Sequence, residues 1–205
     1  MHAPDTVEQQ APRPRGRPRR EAAREEIVEA TLALLADRGF QATTMDAIAE
    51  RAGVGKTTIY RRWDSKEELI ADSLGELRTE PAPMEATDLR AVLLAYLHDQ
   101  ERELADPLVG RLLPAILSEL QTNPGFLAAW EDRVVRPRRQ AIVDVLAEAR
   151  ERGELREGAD PDVIADLLLG APLLRLLFPV GLPSVPARYA EQQLEAIWHG
   201  IAPNA

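Results

Sequence analysis

Apolar residues recur every three or four positions along most of this chain and alternate nowhere, the spacing of helices rather than strands. After a stretch without periodicity, Ile27, Ala30, Thr31, Leu34 and Leu35 fall on one face of a helix that begins near Arg20. Gly39 stands where that face ends, suited to the left-handed backbone of a helix C-terminus, and Phe40 is expected to fold back onto it. Thr43 or Thr44 caps the next helix, whose inner face is Met45, Ile48 and Ala49 and which stops at Gly53. Val54 lies in the turn. A third helix is expected from Gly55 to Arg62 with Ile59 inward, broken by Trp63 and Asp64. Ser65, with Glu68 three residues on, forms a capping box for a fourth helix that buries Leu69, Ile70 and Leu74.

Pro81 and Pro83 mark a loop or hinge. Beyond it, Asp88 opens a helix carrying Leu89, Val92, Leu93, Tyr96 and Leu97, and Pro107 opens one reaching Leu120. Pro124 opens a long helix to about Arg152, kinked at Pro137. Gly153 and Gly158 separate it from a helix capped by Asp160 and running to about Phe178. After the loop PVGLPSVP, a last helix spans about Pro186 to Ile201. The expected fold class is all-α. Residues 1–19 form a disordered Arg/Pro-rich arm, 20–79 a three-helix helix-turn-helix unit with its linking fourth helix, and 84–205 a larger helical body.

Composition narrows the function. With 45% apolar residues in 205, a core can form. The absence of cysteine excludes disulfides, thiolate catalysis and Cys-ligated zinc. No run approaches the length of a spanning helix, so no membrane partner is expected. The start, MHAPDTVEQQAP, lacks the basic and apolar segments of a secretory signal, so the expected location is cytoplasmic. The net charge of −9 is unevenly spread. Residues 1–75 hold 12 Lys+Arg against 13 Asp+Glu, and residues 76–205 hold 13 against 21. Arg13, Arg15, Arg17, Arg19, Arg20 and Arg24 crowd the arm, and Lys56, Arg61, Arg62 and Lys66 crowd the third helix.

That crowding suits a duplex. If Ile59 faces inward, Lys56, Thr57, Tyr60 and Arg61 lie outward, with Thr58 and Arg62 at the flanks. Lys and Arg donate to guanine O6 and N7, a Thr methyl meets the thymine methyl, and Tyr can donate to phosphate. Gly55 admits the DNA backbone closely. The N–H groups after Thr43 and Thr44 offer an anion site, and Lys66 a further phosphate contact. The same pattern also serves a plain packing unit with a solvated arginine face.

Residues 20–75 resemble the N-terminal domain of TetR-family transcriptional repressors. The matching elements are Ile27-Val28, Leu34-Leu35, Gly39-Phe40, Thr43-Thr44, Ile48-Ala49, Ala52-Gly53-Val54, Thr58-Ile59-Tyr60, Trp63, Ser65-Lys66 and Leu69. The resemblance implies that Thr44, Lys56, Thr57, Thr58, Tyr60, Arg62 and Lys66 meet DNA. Trp63 replaces the family's usual Phe, and Gly55 a common Ser. Pro14-Arg15-Gly16-Arg17-Pro18 is similar to an AT-hook core, whose extended Arg-Gly-Arg enters the minor groove. A sequence-independent basic tail is the other reading, and both predict salt-dependent tightening by the arm.

The resemblance further implies a body that dimerises and senses a ligand. Two units on a twofold axis would read a palindromic double-stranded operator. The last two helices, with Leu168, Leu169, Leu173, Leu176, Leu177, Leu194, Ile197, Trp198 and Ile201, are the expected homodimer interface. Tyr96, Leu97, His98, Leu117, Gln121, Phe126, Trp130, Leu169 and Arg175 are the candidates for a small-molecule effector site. No cofactor, metal or catalytic residue is expected. His2, His98 and His199 are scattered, and no phosphate loop or Ser–His signature is present, which argues against an enzyme. A pure protein-interaction module leaves the arginine arm unexplained. Repressor is preferred over activator, and the residues do not decide between them.

Overall fold

The computed structural model describes residues 17–77, 88–177 and 188–203, without the side chains of 17–20, 104, 113–115, 173 and 175–177. Within them every regular element is helical: α1 (Arg17–Ala42), α2 (Met45–Arg51), α3 (Lys56–Tyr60), α4 (Lys66–Glu76), α5 (Leu89–Ala105), α6 (Pro107–Thr122), α7 (Pro124–Trp130), a π-helical turn (Glu131–Val135), α8 (Arg136–Glu151), α9 (Pro161–Leu177) and α10 (Tyr189–Ile201). The expected all-α class is what is found. No helix among the described residues is long and apolar enough to cross a membrane. Pro81, Pro83 and the PVGLPSVP loop lie outside the described residues.

Local chemistry accounts for most boundaries. Gly39, at φ 74°, interrupts the helical backbone of α1 near its end, and Gly53, at φ 65°, turns the chain away after α2. Thr44 caps α2 by accepting the Ala47 N–H, and Ser65 caps α4 by accepting that of Glu68. Asp88, Asp106 and Asn123 cap α5, α6 and α7 in the same way.

Four boundaries differ from expectation. α1 begins at Arg17 rather than Arg20, with Pro18 near its start, where a missing N–H is harmless. α3 stops at Tyr60, because the N–H groups of Arg62 and Trp63 both converge on the Ile59 carbonyl and tighten the last turn. The long helix from Pro124 does not merely kink at Pro137. Pro137 has no N–H for the carbonyl four residues before it, and the chain widens into the π turn just ahead. The last helix starts at Tyr189, after Arg188 at φ 68°. Pro172 is buried within the continuous α9.

Three apolar clusters hold the molecule. The first lies inside the helix-turn-helix unit: Ile27, Leu34, Ile48, Ile59, Trp63 and Leu69, with Met45 and Ala49. Another fills the body between α5, α8, α9 and α10, centred on Leu93, Leu97, Leu146, Leu168 and Leu194. The remaining cluster belongs to both regions. Leu35 and Phe40 of α1 and Ile70 and Leu74 of α4 pack against Leu112 and Ile116 of α6 and Phe126 of α7. Phe40 and Phe126 meet edge to face at 4.8 Å. The front unit is therefore clamped to the body by α1 as well as by the linking α4.

Candidate nucleic-acid interface and its connection to the body

Ile59 is fully buried, and its burial fixes which way α3 faces. Gly55, Lys56, Thr57, Tyr60 and Arg61 are all exposed, Tyr60 by 51%, while Thr58 and Arg62 are half-buried at the flanks. One helical turn thus presents two cations, a hydroxyl and a phenol together. Gly55, at φ −72°, needs no special conformation, and a Cβ added there would meet open space. The Lys56 ammonium lies 2.5 Å from Asp46 of α2. Both side chains are more than half exposed, so the pair is weak and exchangeable for a phosphate or base.

The two threonines before α2 separate sharply. Thr44 is exposed and keeps a hydroxyl proton to donate. Thr43 is fully buried and its hydroxyl donates to the Gly39 carbonyl at 2.8 Å, so it cannot reach DNA. The anion site expected after them is also weakened. Thr44 takes the Ala47 N–H, and Asp46 places a negative charge in that first turn.

Lys66 is half-buried rather than free. Its Nζ donates to the Phe40 carbonyl at 3.1 Å and lies 4.4 Å from the Phe40 ring centre. An ammonium has three donors, so two remain for a phosphate. Arg15 lies outside the described residues. Arg17 begins α1, so an extended Arg-Gly-Arg running through Arg17 is not what is found. Arg24, counted with the arm, donates to Asp72 at 3.0 Å and pairs with Glu76.

Sequence reasoning missed the bonds behind this surface. The Trp63 indole Nε1 donates to Asp72 Oδ2 at 2.9 Å, a bond that phenylalanine in the same place could not make. Gln41 donates to the buried Glu119 of α6 at 2.9 Å. The partners stand nine and 78 residues apart, and no spacing rule announces either pair.

In the body, the expected dimer residues fall into three sets. Leu168, Leu194 and Ile201 are buried within the protomer's own core, with Leu169, Ile197 and Trp198 packed partly against it. The side chains of Leu173, Leu176 and Leu177 lie outside the described ones. The outward face of α9 is instead Val163, Leu167 and Leu174, each exposed by 53–54%, with Gly170 among them.

The effector candidates are not brought together either. Tyr96, Leu97 and Leu169 belong to the body core, while Phe126 and Trp130 belong to the shared cluster at the front. Leu117 is half-buried, Gln121 is exposed on α6, and the Arg175 side chain is outside the described ones. His98 faces Glu191, whose carboxyl is held below its ordinary range by the N–H at the start of α10 and by His98. A cavity of about 610 Å³ opens elsewhere, between α5 and α10, lined by Arg90, Leu94, Arg188 and Glu191 among others.

Comparison with known proteins decides the family. Residues 27–72 match the profile described as bacterial regulatory proteins, tetR family, and residues 83–197 match the tetracyclin repressor-like C-terminal domain. The chain belongs to the TetR family. YdeS, an HTH-type transcriptional regulator of Bacillus subtilis, is 32% identical over 163 residues, which cover 80% of this chain and 82% of YdeS. KstR2, an HTH-type transcriptional repressor of Mycolicibacterium smegmatis, is 27% identical over 174 residues, 79% and 77% of the two chains. The crystal structure of the TetR family transcription regulator SCO0332 is 29% identical and covers 88% of this chain and 99% of its own, with a TM-score of 0.69. The chain is therefore a DNA-binding TetR-family transcriptional regulator, and not an enzyme.

Proposed function

We propose that this regulator is a repressor that binds a palindromic operator as a homodimer and leaves it when a small apolar or amphipathic ligand enters the body. The observation that carries the reading is the exposure pattern of α3. Lys56, Thr57, Tyr60 and Arg61 face solvent together because Ile59 is anchored beneath them. With Thr44, Gly55, Thr58, Arg62 and Lys66 around them, they form the surface that enters the major groove. The name of KstR2 as a repressor supports repression over activation.

Dimerisation uses the outward faces of α9 and α10. Val163, Leu167 and Leu174 form an apolar stripe, and Ala196 and Gly200 of α10 let a second backbone approach. The ligand is taken up within the body, where α5 and α9 pack around Tyr96, Leu97 and Leu169. Its entry favours a state in which the two α3 helices no longer match the operator spacing.

Fragments selected from genomic DNA by the purified chain supply the operator. Lys56→Ala and Tyr60→Ala then weaken binding about 5- to 150-fold, the range of one good base or phosphate contact, with unchanged thermal stability. A chain that binds no selected fragment, or variants that bind as well as the parent, would end the proposal.

A further inference from the structure

The two residues that leave α3 are held by two carboxylates of α4, four residues apart. The Trp63 indole donates to Asp72 Oδ2 at 2.9 Å, and the Asp64 backbone N–H donates to Glu68 Oε2 at 3.0 Å. Each carboxylate turns its other oxygen toward one cation of the body. Arg133 lies 3.5 Å from Glu68 Oε1 and 3.8 Å from Asp72 Oδ1. On the far side, Arg24 of α1 donates to Asp72 and pairs with Glu76. Glu68, Asp72 and Glu76 thus form an acidic stripe along α4, and like charges at this spacing repel unless cations sit between them.

Arg133 is not on a regular helix. It stands in the π turn that Pro137 imposes, and a Cβ placed on Gly75 of α4 would lie 3.6 Å from its carbonyl oxygen. The π turn and α4 are therefore in direct backbone proximity. Single-turn π segments of this kind are rare inside α-helices and recur at functional sites. A movement of Arg133 would act on both carboxylates at once, and each of them grips the exit of α3.

We propose that Arg133 is a positioning residue for DNA reading, acting through Glu68 and Asp72 on the Trp63–Asp64 segment that aims α3. The proposal rests on α3 being the reading helix, and it needs no knowledge of the ligand. It gives the unusual Trp63 a role: the indole N–H is the handle by which the body holds the recognition helix.

The test uses the full chain, ¹⁵N-labelled at its three tryptophans, and a duplex selected from a random pool by the parent protein. Trp63→Phe identifies the Trp63 indole resonance by its loss. Arg133→Met is expected to move that resonance, hasten its exchange with water and weaken duplex binding about three- to tenfold, within the range for coupling residues. Arg133→Lys restores part of both. Combined with Trp63→Phe, Arg133→Met has a smaller effect on affinity than alone. If Arg133→Met does not fold, Asp72→Asn, which keeps an oxygen for the indole and drops the charge facing Arg133 and Arg24, moves the resonance, and Glu68→Gln, which drops a charge facing Arg133, weakens binding as well. An unmoved Trp63 resonance, or unchanged affinity with a moved one, overturns the proposal. A parent chain that ignores every duplex overturns the assignment of α3 instead, while the resonance still reports whether Arg133 reaches Trp63.

Discussion

α3 and α9 are opposite kinds of helix. α3 has five residues, buries Ile59 and shows polar side chains everywhere else. α9 has seventeen, buries Ile164, Ala165 and Leu168 on one side, and still leaves leucines and a valine half bare on the other. On α3 a single anchor determines every other direction, so the working surface can be read directly. On α9 apolar residues occupy both sides, and only coordinates separate the side that belongs to the protomer from the side left open. A helix that is apolar all round has two jobs, and its sequence does not say which residue has which.

The sharpest way to break this comparison is a pair of neighbours. Leu168→Ala should lower stability to urea by about 2–5 kcal/mol, the usual result of emptying a packed site. Leu167→Glu, one residue earlier, should leave the helical circular dichroism intact and turn a sedimenting dimer into a monomer. If Leu167→Glu instead unfolds the protomer, the outward face of α9 has been misassigned.

A second pair tests the front of the molecule at lower amplitude. Thr44→Ala should cost about 1 kcal/mol of stability through the lost cap and also weaken DNA binding. Thr43→Val should cost a similar amount, about 1 kcal/mol, by leaving the Gly39 carbonyl without its donor, and leave affinity alone once folded protein is counted. Equal losses of affinity would put Thr43 back at the interface.

The smallest effect concerns pH. Burial, opposed by Arg24 and reinforced by Asp72, holds the Glu76 carboxyl above its ordinary range. A raised folded-state value means that the folded chain takes up this proton more readily than the unfolded one. Glu76 therefore detracts from stability at neutral pH and ceases to do so as pH falls through its titration. The difference in melting temperature between Glu76→Gln and the parent should be positive at neutral pH and shrink on acidification. A difference that grows on acidification would reverse the sign assigned here.

Helix order, the turn glycines and the outward set on α3 were legible because each rests on local chemistry. Gly39 and Gly53 need a left-handed backbone, Ser65 needs a helix start, and Ile59 is the apolar residue amid polar neighbours. What failed had no local signature. Thr43 and Thr44 are the same residue type, and one step along the chain decides which is buried. Leu167 and Leu168 differ by the same single step on a helix apolar throughout. The Trp63–Asp72 bond and the Arg133 contacts join residues whose proximity follows from packing alone. The effector candidates mix apolar walls with polar groups that share no spacing, and the fold places Tyr96, Leu97 and Leu169 in the body core but Phe126 and Trp130 in the shared cluster.

The shared cluster at the waist has a practical outcome. A fragment ending at Leu77 would carry Leu35, Phe40, Ile70 and Leu74 without the α6 and α7 side chains that cover them. Such a fragment would keep the whole exposed face of α3, yet it would be sticky and half-melted. The DNA-facing unit of this protein is a separate region in outline but not a separable one in solution.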